Sequence, residues 1–215
     1  MGWFITFEGG EGCGKTTQIK LLARQLAERG YTLRVTREPG GCPIADQVRS
    51  ILLDAANRAM TPMTELLLYA AARAQHMQEI IIPAQASGSI VLCDRFTDAT
   101  IAYQGYGRGL DLATIEYLNH IATDGLKPRL SVLIDCPVEV GLERAFARIN
   151  GSAGAREDRF ELESVRFHQR VRDGYLKLAA EEPERFIVID GSRSVEETAA
   201  AVTAAVLARI TESPA

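Results

Sequence analysis

Gly9-Gly10-Glu11-Gly12-Cys13-Gly14-Lys15-Thr16 has the spacing G-x-x-x-x-G-K-[ST], and what flanks it decides the fold. Before it, Trp3-Phe4-Ile5-Thr6-Phe7 is a β-rich run. After it, Ile19, Leu22, Ala23 and Leu26 recur at helical spacing until Gly30 breaks the pattern. Strand, glycine loop and helix in that order make a phosphate cradle. The glycines let backbone N–H groups converge on a β-phosphate, and the helix N-terminus adds partial positive charge. Lys15 would neutralise charge on the β- and γ-phosphates, and the Thr16 hydroxyl is placed for Mg2+. The stretch from Gly10 through Glu11, Gly12, Cys13, Gly14, Lys15 and Thr16 to Thr17 is therefore the expected contact for a nucleoside triphosphate.

The same alternation continues outward. Thr32 to Thr36 reads as a strand and Ile44 to Leu53 as a helix; Thr61 as N-cap with Pro62 at the first helical position opens a long helix toward Ala86. Ile90-Val91-Leu92-Cys93 is an apolar run of buried-strand type, followed by a helix over Leu112 to Thr123 and a strand over Leu130 to Ile134. Helices over Val138 to Arg148 and Ser164 to Ala180, a strand over Phe186 to Ile189 and a last helix opened by the capping box Ser194-Val195-Glu196-Glu197 complete the chain. About five apolar strands alternating with helices predict an α/β fold, a parallel sheet covered by helices on both faces. The 215 residues fit one domain, residues 1–215. Its one Gly-rich internal stretch is Asn150-Gly151-Ser152-Ala153-Gly154-Ala155.

Composition narrows the function. With 47% apolar and 24% charged residues the chain matches folded globular proteins. A net charge of −4 and a pI of about 5.5 provide no bulk basic field for nucleic acid or an anionic membrane, so an anion must be gripped locally. Cys13, Cys42, Cys93 and Cys136 form no C-x-x-C pair, which leaves neither a zinc site nor a redox dithiol signalled. There is no apolar run of membrane-spanning length, and a cytoplasmic location is the expectation.

A phosphate loop alone does not choose among GTPases, motor ATPases and small-molecule kinases. The guanine-reading N-K-x-D sequence is absent. Two Arg-bearing motifs follow strands, at the edge where an open α/β sheet binds ligands: Arg37-Glu38-Pro39-Gly40-Gly41 after the second strand and Asp94-Arg95 after the third. Each alone also fits a salt-bridged loop end; together, beside a triphosphate site, they suggest a second phosphate on an acceptor. Tyr69 and Arg73, four residues apart on the long helix, share a face that could stack and hydrogen-bond a base, and equally fit a core aromatic with a snorkelling Arg.

Together these residues resemble the thymidylate kinase family of P-loop nucleoside-monophosphate kinases, in its bacterial form. The resemblance rests on Phe7-Glu8-Gly9 through Thr17, Arg37 to Gly41, Tyr69 to Gln75, Asp94-Arg95-Phe96, Ala102-Tyr103-Gln104-Gly105 and Asp158-Arg159-Phe160-Glu161. It implies a P-loop NTPase fold with a short mobile lid near residues 149–160, and transfer of the ATP γ-phosphoryl group to dTMP with Mg2+. The implied catalytic residues are Lys15, Arg95, the lid residues Arg148, Arg156 and Arg159, and Asp94, which would orient metal-bound water or Arg95; Thr16 and Asp94 serve the metal. Arg37, Pro39 and Arg95 are expected at the dTMP phosphate, Tyr69 and Arg73 at thymine, and Glu8, Thr100, Tyr103 and Gln104 elsewhere around the nucleoside. Glu11 is a candidate for the acceptor sugar or the metal shell. Tyr69 stands where the family commonly has Phe, and Ala99 where it often has a small polar residue. The resemblance also implies a homodimer, in keeping with apolar Leu66, Leu67 and Leu68 on more than one side of the long helix. The alternatives are another small-molecule P-loop kinase and a nucleotide-sensing module without turnover.

Overall fold

The computed structural model describes residues 2–150 and 159–212. Five parallel strands form one sheet: β1 (Phe4–Glu8), β2 (Leu33–Arg37), β3 (Ile90–Asp94), β4 (Leu130–Asp135) and β5 (Phe186–Asp190), in the order β2-β3-β1-β4-β5. Every residue of β1 is buried, as a central strand covered on both faces requires, whereas the edge strand β2 is half-exposed. The chain winds from β1 to β2 and β3 on one side and then crosses to β4 and β5 on the other, so the crevice at the C-terminal end of β1 is the natural ligand site. The register brings Phe7 opposite Asp94 and Glu8 opposite Leu133, so the loops after β1, β3 and β4 open together.

The helices are α1 (Lys15–Glu28), α2 (Pro43–Leu53), α3 (Pro62–His76), α4 (Ile82–Ala86), α5 (Thr97–Thr100), α6 (Leu112–Thr123), α7 (Val138–Asn150), α8 (Val165–Glu181) and α9 (Val195–Glu212). The expected caps are present. The Thr61 hydroxyl accepts from Thr64 N–H, and Ser194 and Glu197 bond each other's backbone N–H reciprocally. The predicted single helix from Pro62 to Ala86 is in fact α3 and α4 joined by a π-helical turn, Met77–Ile81. Pro83 lacks the N–H that a regular helix would give to Glu79, and the wider turn accommodates that loss. A second π-helical stretch, Ile101–Gly107, continues α5 where helical periodicity gave no signal. Its glycines weaken helix propensity but allow close packing. A Cβ on Gly105 would lie 2.5 Å from Leu112, and one on Gly107 would lie 2.7 Å from Phe167 of α8.

The main core lies between β1, β3 and β4 and the helices α1 and α9, with Ile5, Phe7, Leu22, Leu26, Leu92, Val132 and Val206 at its centre. A second cluster joins the π-helical stretch to α8 through Tyr103, Phe160, Phe167, Val171 and Tyr175. Among the described residues no helix is long and apolar enough to cross a membrane.

Candidate active site

The glycine loop bends as its sequence requires. Gly9, Gly12 and Gly14 all have positive φ, and Gly14 caps α1. A Cβ on Gly12 would sit 1.9 Å from the carbonyl oxygen of Gly141 in α7, and one on Gly141 would sit 2.3 Å from that of Glu11. Two glycines distant in sequence thus let α7 seat against the loop. Within the loop Lys15 Nζ donates to Gly9 O at 3.1 Å and Gly10 O at 2.8 Å, with Cys13 Sγ at 3.4 Å. At the mouth, Thr16 Oγ1 donates to Asp94 Oδ2 at 2.7 Å. A hydroxyl and a carboxylate in contact beside a phosphate cradle are the hard oxygen donors that Mg2+ takes when phosphates supply the rest of its shell.

One continuous cleft of about 1400 Å³ runs from this loop to α3. That exceeds the roughly 300–1,000 Å³ typical of a single small-molecule pocket, and is room for two nucleotides end to end. Gly12 to Lys20 with Arg144, Arg148, Arg193 and Val195 line one end; Arg37, Pro39, Tyr69, Arg73, Thr100, Tyr103 and Gln104 line the other. Asp94, Arg95 and Glu11 stand between them.

Arg95 is the hub. Although not glycine, it has φ 69°. Its Nη1 donates to Gly9 O (3.1 Å) and the Tyr175 hydroxyl (3.2 Å), and its Nη2 to Glu11 Oε1 (2.9 Å) and the Tyr103 hydroxyl (3.0 Å). The Tyr103 hydroxyl donates to the same Glu11 oxygen at 2.7 Å. Burial alone would push the Glu11 carboxyl up; Arg95, Lys15 and the Tyr103 hydrogen bond outweigh it and hold the group at about 2. Glu11 is therefore an anion at any working pH. Arg148 Nη2 donates to Glu161 Oε1 at 3.2 Å, and burial, reinforced by Glu11, pushes the Glu161 carboxyl up to about 7.

At the far end Arg73 is almost wholly buried. Its Nε donates to Glu38 Oε2 (2.8 Å), Nη1 to Asn119 Oδ1 (2.6 Å), and Nη2 to Phe96 O and Thr100 Oγ1 (3.0 Å each). A guanidinium has five N–H groups, so one on Nη1 remains for a ligand carbonyl. Tyr69, one turn earlier and half-buried, faces the same cleft. Gln104 Nε2 is fixed on Glu65 Oε1 at 2.8 Å. Arg37 is exposed and pairs with Asp46 at 3.1 Å, while Arg49 Nη1 donates to Pro39 O.

Three expected contacts lie elsewhere. Glu8 is fully buried behind the cleft, with its oxygens on Phe96 N–H and the Tyr175 hydroxyl. Gly10 lines a small separate cavity behind the loop and presents its carbonyl to Lys15. Arg159, expected as a lid cation, is buried and committed to Glu65 at 2.7 Å and to Leu52 O, because the aromatic cluster around Phe160 draws it inward. Arg156 and most of the expected lid lie outside the described residues. Sequence reasoning passed over Glu65, Glu38, His76, Asn119 and Tyr175. Glu65, Tyr69 and Arg73 recur every four residues, so one helix face carries all three, and that spacing could have exposed Glu65. Nothing in the sequence marks Asn119 or Tyr175.

Comparison with known proteins agrees with this geometry. The family model described as thymidylate kinase matches residues 7–202. A thymidylate kinase of Geotalea uraniireducens is 79% identical over 212 residues, covering 99% of this chain and 100% of the relative. One of Geobacter sulfurreducens is 62% identical over 210 residues, covering 98% and 99%. The crystal structure of thymidylate kinase from Ehrlichia chaffeensis superimposes with a TM-score of 0.77 at 34% identity, covering 95% of this chain and 98% of that one.

Proposed function

The chain belongs to the thymidylate kinase family and phosphorylates dTMP to dTDP with ATP and Mg2+; from that premise we propose how its residues divide the work. The observation that carries the division is the single cleft with a phosphate loop at one end, Tyr69 and Arg73 at the other and Arg95 between them. Backbone N–H groups of Gly12 to Thr17 and the ammonium of Lys15 hold the ATP phosphates. Thr16 and Asp94 would hold Mg2+, which would supply positive charge against the phosphates. Tyr69 stacks on thymine, and the remaining Nη1–H of Arg73 meets a thymine carbonyl. Arg95 and Arg37 hold the acceptor phosphate, with Pro39 shaping the turn that brings Arg37 to the rim. Thr100, Tyr103 and Gln104 border the nucleoside, and the Glu11 anion accepts from the sugar hydroxyl.

The acceptor is already a phosphate oxyanion, so no general base is needed. The protein aligns two phosphates in line, concentrates positive charge from Lys15, Arg95 and Arg148, and excludes water that would otherwise hydrolyse ATP. We read the chain as one kinase domain working in the cytoplasm, where a triphosphate donor is abundant and the buried free thiols of all four cysteines stay reduced. A homodimer is supported by exposed Met63 and Leu67 on α3 and exposed Tyr117 and Ile121 on α6, two helices that pack together. Sedimentation at micromolar concentration should give twice the chain mass, and a monomer there refutes it. The acceptor assignment is tested by offering ATP with a panel of nucleoside monophosphates. dTMP should be turned over fastest, and faster turnover of a purine monophosphate would overturn the thymine pocket.

A further inference from the structure

Glu8 is the last residue of the central strand, fully buried, and takes no part in the contacts that define the cleft. Its surroundings are nevertheless specific. Oε1 accepts the N–H of Phe96 at 2.8 Å, the peptide that immediately follows Arg95. Oε2 lies 3.0 Å from the Tyr175 hydroxyl, which in turn accepts from Arg95 Nη1 at 3.2 Å. One carboxyl therefore reaches Arg95 from two sides, through the Phe96 peptide that follows it and through the Tyr175 hydroxyl that its guanidinium donates to.

Arg95 needs holding. A non-glycine residue with positive φ is strained and persists only where its surroundings fix it. The peptide before it is pinned by Arg95 N–H donating to Phe7 O at 3.0 Å, and the peptide after it by Glu8. A buried amide deprived of Glu8 would have no replacement partner, since Phe96 is itself wholly buried.

We propose that Glu8 is the positioning residue for Arg95, clamping the strained Arg95–Phe96 joint and the Tyr175 hydroxyl so that the guanidinium points at the acceptor phosphate. This rests on the reading that Arg95 meets that phosphate. Glu8 does this as the terminal acceptor of a short chain: Arg95 donates to the Tyr175 hydroxyl, that hydroxyl donates to Oε2, and the Phe96 N–H donates to Oε1.

The test compares Glu8→Ala, Glu8→Gln, Tyr175→Phe and Arg95→Ala in steady-state kinetics. Glu8→Ala should raise KM for dTMP about tenfold and lower kcat, leaving KM for ATP within about twofold, because a buried amide loses its partner beside the acceptor and not the donor. Glu8→Gln keeps a carbonyl for Phe96 N–H but sets an N–H against the donating Tyr175 hydroxyl, and should recover only part of that loss. If Glu8→Ala fails to fold, Tyr175→Phe, which removes the hydroxyl link alone, should shift KM for dTMP in the same direction. An unchanged dTMP KM in Glu8→Ala, or in Tyr175→Phe where that variant must stand in, overturns the clamp. A Glu8→Gln variant as impaired as Glu8→Ala overturns the Phe96 half of the clamp. If Arg95→Ala leaves KM for dTMP unchanged, the phosphate reading of Arg95 falls and the clamp with it. If Arg95→Ala raises that KM and Glu8→Ala does not, only the clamp falls.

Discussion

Replacing Arg73 with Ala tests stability and acceptor binding at once, and the structure separates the two. Removing the guanidinium strands Glu38, whose side chain is only 4% exposed, with His76 Nδ1 at 3.0 Å as its remaining ring partner. Breaking a buried ion pair by deleting one member costs about 3–5 kcal/mol. His76 still sits against the stranded carboxyl, so the lower end applies. At roughly 2–4 °C per kcal/mol for a chain of this size, a cost of about 3 kcal/mol lowers Tm by roughly 6–12 °C. The second effect concerns dTMP. Ligand at 100 times its Kd stabilises the wild type by about 2.7 kcal/mol. Loss of one hydrogen bond from a charged donor, about 1.5–3 kcal/mol, weakens binding at least tenfold. The same dTMP concentration should then stabilise the variant by about 1.4 kcal/mol or less. Scanning calorimetry with and without dTMP measures both. A variant melting within 2 °C of wild type refutes the buried-pair reasoning, and an undiminished dTMP shift in a destabilised variant refutes the thymine contact.

Other substitutions probe the remaining parts of the site. Lys15→Ala removes the ammonium that folds back over the loop, and should lower turnover roughly a thousandfold, about 4 kcal/mol of transition-state stabilisation; retention of a tenth of wild-type turnover contradicts the assignment. Tyr69→Phe should be mild because stacking survives, whereas Tyr69→Ala should weaken dTMP binding by about 1–3 kcal/mol with ATP unaffected, as titration calorimetry would show. Gly141→Ala would ordinarily strengthen a helix by up to about 1 kcal/mol. Here the added Cβ meets the Glu11 backbone at 2.3 Å, so the overpacking cost of about 1–3 kcal/mol should dominate, lowering Tm and raising KM for ATP; a rise in Tm would show that α7 yields freely.

By itself the sequence determined the sheet, the glycine loop and the caps, because each is written in contiguous residues. Strand runs, the four-residue spacing of α3, Thr61-Pro62 and the Ser194–Glu197 box all act within one or two turns of chain, where steric and hydrogen-bonding preferences are local. Tertiary structure alone decided what those residues do to one another. That Arg73 spends four N–H groups on Glu38, Asn119, Phe96 and Thr100 depends on elements far apart in sequence meeting in one buried volume. Arg159 reads in the chain as a loop cation and in the fold as a buried partner of Glu65. The π-helical stretch through Ala102-Tyr103-Gln104-Gly105 leaves no periodic trace, because packing on α8, not propensity, forms it. Glu8 reads only as the end of a strand. Its position between the Phe96 amide and the Tyr175 hydroxyl exists because β1, the β3–α5 joint and α8 converge there, in an interior where an unpaired polar group is too costly to leave unplaced.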